Sequence, residues 1–504
     1  QSYSVHTYPS QPLAIEMVRS CDGTPRPCRA FRSRTHSYVS RATCEWAYVF
    51  GHPTPSVCLD TSTCLNMAAS VKGLLAACPS EDIGEVLAWQ SIKKALPASC
   101  KCMERPLLQG VVSGFARGPV PLPRGYLGFV RREVRKIFYP GWDKSFYERN
   151  VLTCGPNLSA TLDSPRAHGG CQNDWKKDHS RFLSTCLDSQ PPYVPLDSDL
   201  AGELMVVQSA GKPRPLTKFS GEGLLLRPLH DSIYDRLRLC RWLAVGDVSD
   251  SMLSRAGFKR TDDEVLTSGD YKSATDGLSI EVAEVILSEI LGSSRHVPNH
   301  IAEFALRALR PLLFGDGVDG FRPSRGQMMG SYLSFPLLCL QNRLAFLYAF
   351  RWMPEGVRNR VPCLINGDDI LFQSGPRASD AWMSVVGSLG LEVERTKTSV
   401  CGDWGTLNST LLVWRGQHLR VQPTLRWGRL KPLELPHSLF SNFRGWLSGA
   451  RNGQRFRASM VFFRRYVALM RSTRLTLLEL GFRGSLAARM GELFGFGSLD
   501  ELSL

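Results

Sequence analysis

Val361-Pro362-Cys363-Leu364-Ile365-Asn366-Gly367-Asp368-Asp369-Ile370-Leu371-Phe372 is the stretch on which the reading of this chain turns. Two short apolar runs, 361–365 and 370–372, bracket four residues of turn type, a pattern that predicts a β-hairpin. Gly367 permits the tight turn, and the turn presents two adjacent carboxylates. Taken alone the Gly-Asp-Asp signal is weak, because the chain holds 44 glycines and most such turns are solvated loops. Its weight comes from two segments upstream. Asp270-Tyr271-Lys272-Ser273-Ala274-Thr275-Asp276 is a second acidic segment, and between the two lies a Gly-rich and Ser-rich segment, 326–350, that enters an apolar helix. An ordered set of three is far rarer than its parts.

Working outward, Leu278, Val282, Val285, Ile286 and Ile290 recur at helical spacing, with Glu281, Glu284 and Glu289 on the other face. A helix therefore follows Asp276, and Asp270 falls at a strand-to-helix junction. Carboxylates delivered by two separate elements suit phosphoryl transfer onto a growing strand. That chemistry uses two divalent ions roughly 3.5–4 Å apart, one activating the attacking hydroxyl and one neutralising departing pyrophosphate. Mg²⁺ prefers hard oxygen ligands and keeps several waters, so two or three aspartates at strand ends suffice. Asp270 and Asp368 are the leading ligands, with Asp369 in support. The plain alternative makes them a helix cap and a turn aspartate.

The chain has 504 residues, enough for two to four ordinary domains or one large multi-lobed enzyme. Hydrophobic residues at 43% and charged residues at 21% predict a folded globular protein and exclude an extended or disordered one. Lys plus Arg number 61 against 46 Asp plus Glu, a net charge of +15, which favours a polyanionic partner such as nucleic acid. Anionic membranes and ordinary solubility also produce basic chains. The longest apolar stretches, 333–340 and 344–350, are interrupted by Gln341, Asn342 and Arg343, and each falls below the roughly 18 residues a bilayer span needs. No membrane span is expected. Residues 1–20 lack a basic start followed by an apolar core, which predicts no signal peptide.

Residues 1–135 are rich in Cys, Ser and Arg, with one helical stretch at 81–96, and carry no nameable chemistry. Farther on come the basic extended Gly211-Lys212-Pro213-Arg214-Pro215-Leu216-Thr217-Lys218, expected as a loop or strand pair, then 224–237 and an acidic segment at 261–265. Beyond about 430 the pattern is helical and dense in arginine, including Arg444, Arg451, Arg455, Arg457, Arg464 and Arg465. The 15 cysteines are odd in number and scattered, so reduced thiols are expected. Cys154, His168, Cys171, His179 and Cys186 could make a zinc site, but their spacings fit no standard ligand pattern, and buried structural cysteines are the default.

The segment Asp270 to Asp276 resembles polymerase motif A. Gly326-Gln327-Met328-Met329-Gly330-Ser331-Tyr332-Leu333-Ser334-Phe335-Pro336 resembles motif B, and the turn from Ile365 to Asp369 resembles motif C, in palm-domain order. Met-Gly-Ser followed by Ser-Phe-Pro, with Thr-Asp closing motif A, is similar to viral RNA-dependent RNA polymerases of the ourmiavirus-like (botourmiavirus), narnavirus, mitovirus and levivirus lineage, the botourmiaviruses above all. Phe138-Tyr139-Pro140-Gly141-Trp142-Asp143 with Tyr147, and Ser159-Ala160, Arg166 and Gly169-Gly170, resemble the family's approach to the fingers. Leu389-Gly390-Leu391-Glu392 with Lys397-Thr398 is similar to motif D, and Leu407-Asn408-Ser409 to motif E. The resemblance covers roughly 138–415.

The resemblance implies an α+β right-hand polymerase with fingers, palm and thumb, a βαββαβ-like antiparallel palm sheet and a helical thumb. Its domains would be 1–137, an N-terminal extension contributing to the fingers; 138–264, fingers with motif F; 265–415, palm with a finger insertion at about 292–325; and 416–504, the thumb. Two Mg²⁺ ions, with Mn²⁺ an option, would sit on Asp270, Asp368 and Asp369. Lys212, Arg214 and Lys218 look like motif F, with Arg227 assisting, and would grip the incoming triphosphate; a solvated basic strand is the plain alternative. Asp276 would accept a hydrogen bond from a ribose 2′-hydroxyl, and Ser334 takes the motif B hydroxyl position. The asparagine expected soon after falls at Leu338, with Asn342 one helical turn later. Lys397 matches the motif D lysine, a general acid for pyrophosphate, or is a surface lysine. Gly330, Ser331, Arg455 and Arg464 would line the RNA path. The implied partners are RNA template and product and ribonucleoside triphosphates, with accessory proteins unspecified. The implied activity is replication of a positive-strand genome in the host cytoplasm, and the mitovirus branch keeps the mitochondrion open. A reverse transcriptase, which usually carries Tyr-x-Asp-Asp, and a catalytically inactive RNA-binding relative are the rivals.

Overall fold

The computed structural model describes residues 24–192, 199–209, 212–433 and 435–496; residues 1–20 and Gly211 lie outside them. The chain forms two compact units. One comprises Gln1–Pro106, Gln208–Arg214 and Gln422–Leu504, the other Leu107–Val207 and Pro215–Val421. Strands in chain order are β1 (Ala201–Ser209), β2 (Lys212–Phe219), β3 (Val265–Gly269), β4 (Leu312–Gly315), β5 (Val318–Phe321), β6 (Cys363–Asn366), β7 (Asp369–Ser374), β8 (Ser399–Cys401), β9 (Trp404–Leu407), β10 (Thr410–Arg415) and β11 (His418–Gln422).

The second unit is built on the sheet β6-β7-β3-β8, whose neighbours all run antiparallel. Helices Ile280–Gly292 and Ser334–Ala349 lie in sequence between β3 and β6, and Pro376–Gly387 lies between β7 and β8, which gives the expected βαββαβ order. Strand period explains the layering. On β6, Cys363 and Ile365 join the main core while Leu364 turns to the other face; on β7, Ile370 and Phe372 do the same around Leu371. Phe372 meets Phe346 and Trp382 at ring separations of 5.2 Å each, so the helices cover that face. Leu364, Leu371 and Leu266 pack with Leu407, Leu412 and Leu419 of the second sheet, β11-β10-β9. Covered on both faces, β3 reads as a run of small and apolar residues rather than an alternation.

Helix Ser334–Ala349 buries 14 of its 16 residues. Pro336 sits in its first turn, where a missing N–H costs nothing. The polar triplet that divides its apolar runs lies inside the core. Gln341 donates to the Ser279 carbonyl at 3.3 Å, and the Arg343 guanidinium lies over the Trp242 and Phe346 rings at 5.5 and 5.3 Å. A third sheet, β2-β1-β4-β5, brings the basic stretch together with the segment inserted between motifs A and B; β1 and β4 run parallel.

In the first unit, Arg26–Phe50 and the C-terminal helices Leu439–Leu447, Arg455–Ser472 and Ser485–Phe494 share one core around Trp46, Trp89, Trp427 and Trp446. Residues 24–106, expected with the fingers, thus fold with the helical C-terminal segment. The stretch at 81–96 is the helix Ile83–Ser91 continued by a 3₁₀ turn, Ile92–Ala95. Among the described residues no helix is long and apolar enough to cross a membrane.

Candidate active site

The predicted hairpin forms with Asn366 opposite Asp369, so Gly367 and Asp368 are its two-residue loop. Gly367 takes φ 62°, the left-handed region that favours glycine. Gly269 at the end of β3 pairs with Ile370. The same register carried one residue further sets Asp270 across from Asp369, and opposed residues in antiparallel strands lie roughly 4.5–5.5 Å apart at Cα. Asp270, Asp369 and the turn aspartate Asp368 therefore meet at one end of the sheet. This close packing calls for glycine at 269, because a Cβ there would lie 2.6 Å from Ile370 and 2.6 Å from Trp382.

The main chain around Asp270 is held from the motif D side. The Thr398 hydroxyl accepts from the Asp270 N–H at 3.2 Å and donates to its carbonyl at 3.4 Å, and the Glu394 N–H donates to the same carbonyl at 2.8 Å. Lys397 is exposed on the turn between those two anchors, its own N–H bonded to Glu394 O at 3.1 Å.

Asn342 ties the pieces together. Fully buried, its amide oxygen accepts the Tyr271 hydroxyl at 2.7 Å, and its Nδ2 donates to Gly367 O at 3.1 Å and Asp369 O at 3.4 Å. One side chain on the motif B helix thereby connects the residue after Asp270 to both ends of the loop that carries Asp368. The Gly367 N–H also meets the buried Cys339 sulfur at 3.2 Å, and Asn366 donates to the Ala244 carbonyl at 3.0 Å. Burial drives the Tyr271 phenol well above its ordinary range, with the charges of Asp368 and Asp369 adding to the shift, so it acts as a hydrogen-bond donor.

Motif A leaves β3 through Ser273, at φ 43°, into the short helix Ala274–Gly277 that carries Asp276. Burial pushes the Asp276 carboxyl up, while the charge of Arg117 and a hydrogen bond from Thr275 work against that shift. The motif B loop is pinned onto this turn by Gln327 N–H to Thr275 O and Gly326 N–H to Leu278 O, both 2.7 Å. A Cβ at Gly330, φ 109°, would stand 2.2 Å from the Thr217 carbonyl, and the Thr217 N–H bonds Met329 O at 2.8 Å. Ser331 closes the same loop through its N–H to Met328 O at 3.3 Å.

Several residues read as ligand contacts have partners within the protein. The Ser334 hydroxyl donates to Met328 O at 2.7 Å and so shapes the loop. Lys218 pairs with Glu203 on the neighbouring strand at 3.2 Å, and Arg227 donates to Gly155 O at 2.9 Å with Asp231 at 3.8 Å. Lys212 opens β2 and Arg214 follows two residues later, both in the first unit. Arg455 and Arg464 belong to helix Arg455–Ser472 of that unit. Nine residues apart, they project about 180° from each other around the helix. The zinc candidates do not assemble: among the described residues, no grouping of possible metal ligands includes Cys154, His168, Cys171, His179 or Cys186. Cys171 and Cys186 are buried core residues, as the default reading has it. Asn342 was visible in sequence only as an asparagine displaced from its expected place, and the Tyr271 hydroxyl gave no signal.

Residues 177–404 match the family model described as mitovirus RNA-dependent RNA polymerase. The RNA-dependent RNA polymerase of Ourmia melon virus (isolate Melon/Iran/VE9) is 30% identical over 177 residues, which are 32% of this chain and 20% of that protein. The match thus spans about a fifth of that curated relative. The crystal structure of the RNA-dependent RNA polymerase of a human picobirnavirus superposes with a TM-score of 0.53 at 12% identity, over 86% of this chain and 91% of that one. The resemblance to viral polymerases of this lineage is borne out by sequence, and the α+β polymerase fold by structure. The family match contains motifs A to D but stops short of Phe138–Gly170 on one side and Leu407–Ser409 on the other.

Proposed function

We propose that this chain copies a viral positive-strand RNA genome, joining ribonucleoside triphosphates on an RNA template with release of pyrophosphate. The observation that carries this is the β3–β7 register, in which Gly269 pairs with Ile370; continued by one residue it would set Asp270 across from Asp369, beside the Asp368 turn. The matches in sequence to mitovirus and ourmiavirus polymerases support the same reading. Three carboxylates are hard oxygen donors, a set that fits Mg²⁺ or Mn²⁺ and would suit thiophilic metals poorly. Two such ions would activate the 3′-hydroxyl and offset charge on the leaving pyrophosphate.

The protein's own part is positioning. Asn342, Thr398 and Glu394 fix the main chain on which the three aspartates stand, so the carboxylates need little reorganisation when substrate arrives. Asp276 is the group offered to the ribose 2′-hydroxyl, since Ser334 and Asn342 are engaged elsewhere. Lys397, exposed on a turn anchored to Asp270, is the proton donor to pyrophosphate. The +15 net charge gives RNA binding that weakens as salt rises. The fourteen described cysteines are free thiols, in keeping with a reducing compartment such as the host cytoplasm.

The test compares labelled ribonucleotide and deoxyribonucleotide incorporation on an RNA template with Mg²⁺ or Mn²⁺. Wild type should extend with ribonucleotides, and Asp368→Ala and Asp270→Ala should each lose at least about 100-fold while still binding RNA. Preference for deoxyribonucleotides would make the chain a reverse transcriptase. Tight RNA binding without synthesis in wild type would make it a binding protein.

A further inference from the structure

The N-terminal segment, which carries no nameable chemistry in sequence, gathers four cysteines in space. Cys28, Cys64, Cys100 and Cys102 bring four sulfur atoms to within 4.8 Å of one another, in the first unit. Cys28 Sγ stands 3.7 Å from Cys100 Sγ and 4.0 Å from Cys102 Sγ. Four thiolates around one tetrahedral ion with metal–sulfur bonds of about 2.3 Å lie about 3.8 Å apart, close to the 3.7 and 4.0 Å from Cys28 to Cys100 and Cys102, and all four sulfurs fall within 4.8 Å. A disulfide would bring two sulfurs to about 2.05 Å. A multi-iron cluster would place its thiolates on different irons and spread them beyond the reach of a single ion.

Three segments carry the four cysteines. Cys28 lies in the first turn of helix Arg26–Phe50, and Cys64 is the first residue of helix Cys64–Ala76, capped by Thr63, whose side chain accepts from Asn66 N–H. Cys100 immediately precedes the 3₁₀ turn Lys101–Met103, which contains Cys102. Two of the four sulfurs are thus carried by the first turns of α-helices and the other two by one tight turn, so all four stand on regular backbone. Arg26, Arg29 and Lys101 are close in sequence to the ligands and add positive charge against the surplus of four thiolates over a divalent ion. The apolar support is slight: Phe31, Met67 and Met103 join Cys64 and Cys100 in a satellite core separate from the tryptophan-rich one. A core so small leaves the junction of these segments in need of another cross-link.

We propose that these four cysteines bind one zinc ion as a closed tetrathiolate site that fastens the starts of the first two helices to the Cys100–Met103 turn. Four protein ligands leave no open position, so the site is structural. Soft thiolates select zinc over the hard cations suited to the aspartates, so the two centres would not compete for metal.

The full chain, purified under reducing conditions without added chelator, is analysed by elemental mass spectrometry. About one zinc per chain is expected, falling to near zero in Cys100→Ser/Cys102→Ser and unchanged in Cys154→Ser/Cys186→Ser. Cobalt exchanged into wild type should show the intense visible bands of tetrahedral coordination and near-ultraviolet thiolate charge transfer, a readout that needs no variant to fold. Wild type without stoichiometric metal and without those cobalt bands would overturn the proposal. So would iron in place of zinc, disulfides between these cysteines by mass mapping, or zinc retained in the Cys100/Cys102 variant.

Discussion

Replacing Asn342 by leucine should damage the site without opening a cavity, since the two side chains are close in size. Asn342→Leu leaves the buried Tyr271 hydroxyl without its acceptor and takes from Gly367 O the donor at 3.1 Å. A buried polar group stripped of its partner costs about 1–3 kcal/mol. Two such groups sharing one network give about 2–5 kcal/mol rather than a strict sum. The catalytic effect runs through the turn: misplacing a reacting group by about 1 Å costs about 100-fold. Asn342→Leu should therefore lower the denaturation midpoint and slow single-turnover incorporation about 100-fold. Tyr271→Phe removes the stranded donor, so the double variant should be more stable than the sum of the singles predicts, by at least about 1 kcal/mol. Stability within 1 kcal/mol of wild type, near-normal incorporation, or strict additivity would each refute the idea that Asn342 clamps the loop.

In the other unit, Glu45 and Arg465 form a forked ion pair at 2.5–3.1 Å with side chains only 2% and 9% exposed. Glu45→Ala should cost about 3–5 kcal/mol in chemical denaturation, and Glu45→Met with Arg465→Met should recover most of it. Gly330→Ala, forced to a left-handed φ against the Thr217 carbonyl, should destabilise by about 1–3 kcal/mol and reduce incorporation more than RNA binding; full activity would show the close approach to be dispensable. Asp276 binds its proton more tightly folded than unfolded, so it favours the native state at low pH and this advantage fades as pH rises through its raised folded pKa. Asp276→Asn should flatten that part of the stability–pH profile just above the ordinary carboxylate range, and an unchanged slope would assign the dependence to another group.

The carboxylate end of the central sheet was legible because its signals are local. Turn residues between alternating apolar runs, and a helical repeat directly after an acidic segment, need only a few neighbouring residues to be read. What escaped notice joins distant positions. Tyr271 and Asn342 are 71 positions apart, and nothing in either segment names the other. Ser334 stands in a motif position, yet its hydroxyl serves its own loop, a choice settled by backbone geometry. The cysteines followed the same logic. Cys154 to Cys186 attracted a metal reading because they are close in sequence, whereas the sulfurs that meet come from positions 36 and 72 apart. The long apolar helix announced its burial but not that Arg343 would lie over two aromatic rings within it.

The first unit draws its core from residues 39–92 and 425–490, and this separation sets an order of events during synthesis. Glu45 and Arg465 are 420 positions apart, so at about 5–20 residues per second the helix bearing Trp46 emerges roughly 20–80 s before its partner exists. The second unit, encoded almost wholly between them, has been synthesised in full before that apolar face can be covered. A newborn chain therefore carries the whole second unit beside an open seam until residues 425–490 are made, and translation stalled before them leaves the seam open for good. Chaperone demand should peak in that interval, and faster decoding of residues 422–490 would shorten it and raise the yield of intact protein without altering a residue.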